Sequence, residues 1–291
     1  MKDLAELFID DRLDLGEGPI WHGARAEFIW FDINEGHLFR ADARGRMRGT
    51  IEFGRPAAAA GIVDERRLAV IVAGALLLVD LESGLQEPIV AVEADQPGNR
   101  PNDSRVDPVG GFWIGTMGRR GEPKAGAYYQ YRAGRLQRLF PDITTPNSTC
   151  FAPDGRTAYF ADSPTRKIMK VAINKSTGLP VGKPSVFVDL GSSKAVPDGS
   201  AVDQEGFLWN AEYHGSRVVR YAPDGKLDRV VKLPVSQVTC PCLGGPELKT
   251  LFITTASQGL SDEQRRAEPL AGSCFAIEVD VPGLKETPIR L

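Results

Sequence analysis

The sequence predicts an all-β fold, a six-bladed β-propeller with four-stranded blades, and three observations predict it. A hairpin signature recurs six times at spacings of 41 to 51 residues. No stretch keeps a sustained 3.6-residue apolar period capped at both ends, which leaves residues 260–270 room for one short helix at most. The 31 glycines and 21 prolines make up about 18% of a chain that is 42% hydrophobic, against roughly 12% in average usage. At that hydrophobic content the excess reads as turn punctuation in a chain that still buries a core.

The hairpins justify the blades in order. Residues 106–115 (VDPVGGFWIG), 151–162 (FAPDGRTAYFAD) and 202–211 (VDQEGFLWNA) each show a short strand, an Asp/Gly turn and a second strand with an aromatic near its start. Weaker copies begin at Trp21, Ile62 and Leu243, and the successive spacings are 41, 44, 45, 51 and 41 residues. Two further extended runs follow each hairpin, as in SRVVRY at 216–221 and KLDRVVKLP at 226–234 around the turn APDG. Four strands per repeat is a propeller blade. Residues 1–291 therefore read as one propeller domain, closed by residues 5–10 pairing beside the C-terminal blade, because the first and last blades must bury each other's faces.

Composition narrows the partners. A net charge of −3 argues against nucleic acid or an anionic membrane held by bulk electrostatics, and points to a small, roughly neutral partner. No obligate protein partner is evident. The longest apolar run, residues 68–79, is well short of the ~20 residues that span a bilayer, and residues 1–19 alternate in charge without a signal-like core. A cytoplasmic protein is expected. Four cysteines (Cys150, Cys240, Cys242, Cys274) are too sparse for a disulfide framework and read as reduced, buried thiols.

The repeat also carries a functional argument. Inner strands of a propeller run the same way along the central channel, so one repeat phase forms a ring at one mouth. Four residues before each hairpin start stand Glu17, Ala58, Asn102, Asn147, Asp198 and Thr239. Five of the six are polar with oxygen acceptors, the outline of a hard-cation site. Asn, Asp and Thr are also ordinary turn residues, so the coincidence of phase carries the argument. The connections sharing that mouth are residues 34–36, 115–126, 162–165, 213–216 and 256–272, which bring Arg119, Arg120, Glu122 and His214 within reach. Surface loops are where such charges normally reside. Nucleophile chemistry has little support: there is no Gly-x-Ser-x-Gly, no His-Glu-x-x-His, and only three histidines, His22, His37 and His214.

Motifs along nearly the whole chain resemble the regucalcin, gluconolactonase and luciferin-regenerating-enzyme family of six-bladed propellers. They are LGEGPIW from Leu15, NRPND from Asn99, GTMG from Gly115, the segment 147–163, and the stretch from VPDGS at Val196 to GGP at Gly244. The resemblance implies one divalent cation held by Glu17, Asn147 and Asp198, substrate contacts from Arg100 and Asn102, and sugar lactonase activity. Two departures stand out. Gly118-Arg119-Arg120 occupies a place where regucalcin-like members have acidic residues, so contacts from that loop do not carry over. Asn147-Ser-Thr-Cys-Phe replaces the commoner Asn-Gly-Leu/Ile, which looks more like bacterial lactonases of pentose and related sugars.

The expected reaction is hydrolysis of a small neutral aldonolactone to its aldonic acid, with the cation polarising the lactone carbonyl. Asp198 is both a ligand and the candidate general base. Arg100 and Asn102 orient the sugar. The oxygen donors favour Ca, Mg or Mn over Zn. Two alternatives from other classes are a non-catalytic calcium-binding propeller and an interaction scaffold.

Overall fold

The computed structural model describes residues 3–291. Six antiparallel sheets of four strands each follow one another along the chain. Their inner strands are Gly16–His22, Ala57–Ile62, Asn99–Val106, Pro146–Phe151, Val196–Val202 and Val238–Gly244. Each inner strand packs against those of the neighbouring blades, and the first packs against the last, so the ring closes as a six-bladed propeller. The six hairpin starts seen in the sequence fall on the last or penultimate residue of these inner strands.

Closure follows the expected route. Strand Glu6–Ile9 is the outermost strand of the sixth blade, pairing with Cys274–Glu278 through Glu6 opposite Ala276 and Leu7 opposite Phe275. Beneath it, blade 6 presents Phe252 to blade 1, where the ring stacks on Phe28 with centroids 4.7 Å apart and on Trp21 at 5.8 Å. Such aromatic pairs add about 0.5–1.5 kcal/mol each beyond the area they bury. Other blade seams are filled the same way, with Trp113 and Tyr128 of blade 3 against Phe151 and Phe160 of blade 4.

The Asp/Gly turns are hydrogen-bonded corners. Asp107 Oδ1 accepts from the backbone N–H groups of Val109 and Gly111 at 2.9 and 2.8 Å, and Asp203 Oδ1 does the same for Glu205 and Phe207 at 3.0 Å. One short α-helix, Asp262–Ala267, begins at a Ser261–Gln264 capping box inside the long loop of blade 6. Among the described residues no helix is long and apolar enough to cross a membrane. All four cysteines are free and buried.

Every inner strand is interrupted at one height. The register between inner and second strands shifts between Glu17 and Ile20, Ala57 and Ala59, Pro101 and Ser104, Asn147 and Cys150, Pro197 and Ser200, and Val238 and Cys240. A bulge frees a residue from the strict in/out alternation of the pleat and can re-aim its side chain. The polar phase noted in the sequence lies in or at the edge of these bulges. Gly18 sits in the first with φ of +57°, where an added Cβ would run into the Ala58 carbonyl, so only glycine suits it.

Candidate active site

At this height the bulges open on a cavity of about 340 Å³ whose wall includes Glu17, Arg100, Asn102, Asn147 and Asp198. All five side chains are buried, and they come from the inner strands of blades 1, 3, 4 and 5. Two members of the sequence phase are not there. Ala58 has no polar group, and Thr239 is turned away: its hydroxyl donates to the Gly16 carbonyl at 2.6 Å and bonds Thr254 at 2.9 Å. Phase fixes height along the channel, whereas the hydrogen bonds available at each bulge fix direction.

A chain of hydrogen bonds ties the cavity wall across three blades. Arg100 Nη1 donates to Asn102 Oδ1 at 2.7 Å, and Asn102 Nδ2 donates to Asn147 Oδ1 at 3.1 Å and to the Pro146 carbonyl at 2.8 Å. Asn147 Nδ2 donates to Ser163 Oγ at 2.8 Å, which in turn donates to the Pro197 carbonyl at 2.7 Å, next to Asp198. The amide of Asn147 is thereby oriented: its nitrogen is spent on Ser163, and its oxygen keeps a free lone pair. Tyr128 supports the same residue from behind by donating to the Asn147 carbonyl at 2.9 Å.

The electrostatics are those of a site short of positive charge. Burial, and then the charge of Asp103, push the Glu17 carboxyl up to about 8. Burial raises Asp198 well above the ordinary carboxylate range, with Glu17 and then Asp103 adding to it. Among the described residues neither carboxylate has a salt-bridge partner. Burial pulls Arg100 down to about 10, against the opposing pull of Glu17 and Asp198. Burying such carboxylates without a counter-charge is costly, and a divalent cation relieves that cost. The donor set fits one: two carboxylates and an oriented amide oxygen are hard oxygen ligands. Among the described residues no three His, Cys, Asp or Glu side chains gather as a metal site, so a cation held here would need a further oxygen donor, and that of Asn147 lines the same cavity.

Several wall residues lie in the loops expected at this mouth but are not singled out in the sequence. Ser163, Tyr213 and Gln258 line the cavity, and Gln258 Nε2 bonds the Tyr213 hydroxyl at 3.3 Å. Asp103, one residue beyond Asn102, lies buried and accepts from the Thr149 N–H at 2.5 Å. Its place inside the NRPND motif was a usable signal. Of the loop residues expected at the mouth, His214 reaches the cavity wall; the Glu122 carboxylate instead folds back onto the Arg120 N–H at 3.0 Å.

A model of the SMP-30/Gluconolactonase/LRE-like region matches residues 15–257. The chain belongs to this family. L-arabinolactonase of Azospirillum brasilense is 35% identical over 285 residues, covering 96% of this chain and 93% of that protein. A 6-deoxy-6-sulfogluconolactonase of Pseudomonas putida is 31% identical over 273 residues, 94% of each chain. Among solved structures, one from Agrobacterium tumefaciens described as a calcium-binding protein, regucalcin, superposes with a TM-score of 0.97 at 36% identity, covering 100% of this chain and 99% of its own. This member of the family keeps the sheet order and closure described above over its full described length.

Proposed function

We propose that this protein is a lactonase that opens an aldonolactone to its aldonic acid with the help of one divalent cation. The observation that carries the reading is the convergence of Glu17, Asn147 and Asp198, beside Arg100 and Asn102, on one cavity of sugar size. Relatives named as lactonases, the two above among them, support it from sequence. Glu17, Asn147 and Asp198 would hold the cation, and their oxygen donors favour Ca, Mg or Mn over Zn. When bound, a divalent cation supplies Lewis acidity toward the lactone carbonyl and charge against the developing oxyanion.

The chain's own residues do the rest. Asp198 takes a proton from the attacking water as the new C–O bond forms at the carbonyl carbon. The ring C–O bond then breaks, and the departing alkoxide recovers that proton as a hydroxyl, leaving the open acid. Arg100 lines the cavity with only Nη1 spent, on Asn102 and Pro101, and orients the sugar with its other donors. Asn102 and Ser163 hold Asn147 in register, so the wall is preorganised before substrate arrives. The four buried thiols fit a reducing, cytoplasmic setting.

The test is acid release measured by pH-stat on a panel of aldonolactones, with the wild type and Asp198→Ala. Metal-dependent release from at least one lactone, lost by 10²-fold or more in the variant, is the expected outcome. Hydrolysis by Asp198→Ala at the wild-type rate removes its assigned role. Cation binding without turnover of any lactone leaves the calcium-binding reading in its place.

A further inference from the structure

The buried guanidinium groups of this protein are paired with carboxylates, with one exception. Arg40 holds Glu27 at 3.2 Å, Arg105 holds Glu286 at 2.7 Å and Arg220 holds Asp203 at 2.7 Å. Arg100 is buried to the same degree and has no ion pair among the described residues. It spends Nη1 on two neutral oxygens, Pro101 O at 2.8 Å and Asn102 Oδ1 at 2.7 Å. A guanidinium has five N–H donors, and these two bonds engage Nη1 alone, at a residue that lines the cavity.

A second unpaired cation stands beside it. Arg119 follows directly on strand Phe112–Gly118, whose Met117 lies opposite Arg100 in the sheet and lines the cavity. The Arg119 backbone N–H donates to the Gly98 carbonyl at 2.9 Å, which pins the residue next to the strand that carries Arg100. Its charge is close enough to oppose that of Arg100. Its side chain is exposed and has no carboxylate partner among the described residues. The nearby Glu122 does not supply one, being turned to the Arg120 and Gly118 backbone. The opposite rim has another character: Asp14 accepts from Asn34 at 2.6 Å there, and Gln258 bonds Tyr213. Blade 3 thus sets Arg119 beside the strand of Arg100, while blade 1 sets the carboxylate of Asp14 across from it and Arg265 of blade 6 is spent on Ser257 and Leu260. With Glu17 and Asp198 engaged by a cation, neither is available to neutralise Arg100.

We infer that Arg100 and Arg119 form a subsite for an anionic group, so that the preferred substrate is a lactone carrying a second acidic function away from its lactone carbonyl. Paired arginines present the fork geometry that carboxylate, sulfonate and phosphate groups accept. The inference rests on the lactonase reading and replaces the neutral substrate expected from net charge alone. Net charge averages over the surface, whereas Arg100 on the cavity wall and Arg119 beside its strand are two cations without carboxylate partners among the described residues. The reaction itself is unchanged: water adds to the carbonyl, the ring C–O bond breaks, and the product bears one more carboxylate than the substrate.

The experiment compares kcat/KM for a neutral aldonolactone with that for a lactone of similar ring carrying a distal carboxylate, sulfonate or phosphate, at low and high salt. The wild type, Arg119→Gln, Arg119→Glu and the remote control Lys226→Gln are measured. A preference of tenfold or more for any of the three anionic lactones is expected, shrinking with salt and falling at least tenfold in Arg119→Glu. Lys226→Gln is expected to keep the ratio. Calorimetry of an aldarate against an aldonate gives a readout without turnover, with tighter binding of the dicarboxylate that depends on Arg119. Equal kcat/KM for neutral and anionic lactones, or a preference that survives Arg119→Glu, overturns the subsite while leaving the lactonase intact. Arg119-dependent aldarate binding without hydrolysis of any lactone overturns the lactonase and upholds the subsite.

Discussion

Ser148 carries the clearest local cost in the site. It follows Asn147 with φ of +58°, a left-handed conformation that a side chain makes unfavourable by on the order of 1 kcal/mol. Its hydroxyl offsets this by donating to the Asp198 carbonyl at 2.7 Å and accepting from Asn210 Nδ2 at 3.1 Å, which joins the backbones under two of the proposed ligands. Ser148→Ala keeps the strain and loses the bonds, whereas Ser148→Gly loses both together. Urea unfolding is therefore expected to find the alanine variant less stable than the glycine variant by about 1 kcal/mol; the reverse order would remove the strain argument. The carboxylates make a second prediction. Glu17 rises from 4.5 to about 8 in the folded, cation-free chain. The native state thus binds more protons than the unfolded state between those values, and its stability falls as pH rises through that window. Melting in EDTA is expected at a lower temperature at pH 8 than at pH 6. Calcium or manganese should raise the melting temperature more at pH 8, because ligands must be deprotonated to bind. A cation-induced shift that is larger at pH 6 would contradict this.

The bulged inner strand is the element on which the site depends. Gly18 is its sharpest requirement, and Gly18→Ala combines positive φ with a collision against Ala58. A loss of about 2–4 kcal/mol in denaturant is expected, with weaker cation binding, because Glu17 is the preceding residue and bonds the Gly18 N–H at 2.8 Å. Unchanged stability would mean the strand does not need the bulge. The bulge also explains what was legible beforehand. The repeat period, the hairpin turns and the closing strand could be read from spacing and turn chemistry, because those are local properties of the chain. Glu17, Asn102, Asn147 and Asp198 were legible as a shared phase. Thr239 shares the phase yet faces Gly16, and Asp103 lies one residue off it yet presses on the site. A bulge depends on how two strands meet, and one strand's sequence does not state that.

At the scale of the whole molecule, the ring is closed twice. The strand Glu6–Ile9 completes blade 6, and the C-terminal residues bind across the far mouth of the channel. There the Gly283 N–H donates to Leu248, Ile289 to Ile62 and Arg290 to Gly110, each at 2.8 Å, so the tail touches blades 6, 2 and 3. Glu286 of this tail reaches Arg105, which stands in the same inner strand as Arg100 and Asn102. Sequence periodicity could not foresee the tail, because it belongs to no repeat. Glu286→Ala leaves a buried guanidinium unpaired, and a loss of about 3 kcal/mol is expected in urea, recovered in part when Arg105→Met removes the charge as well. A loss below 0.5 kcal/mol would show that the pair does not anchor the tail. The cavity at Glu17 and Asp198 is the place where a cation and a lactone can meet. Proton release from the lactone panel by protein stripped with EDTA, recorded before and after a divalent cation is restored, tests that claim most directly. Release that appears only after Ca, Mg or Mn is added is the predicted result; full-rate hydrolysis by the stripped protein, or none with any of these ions, would contradict it.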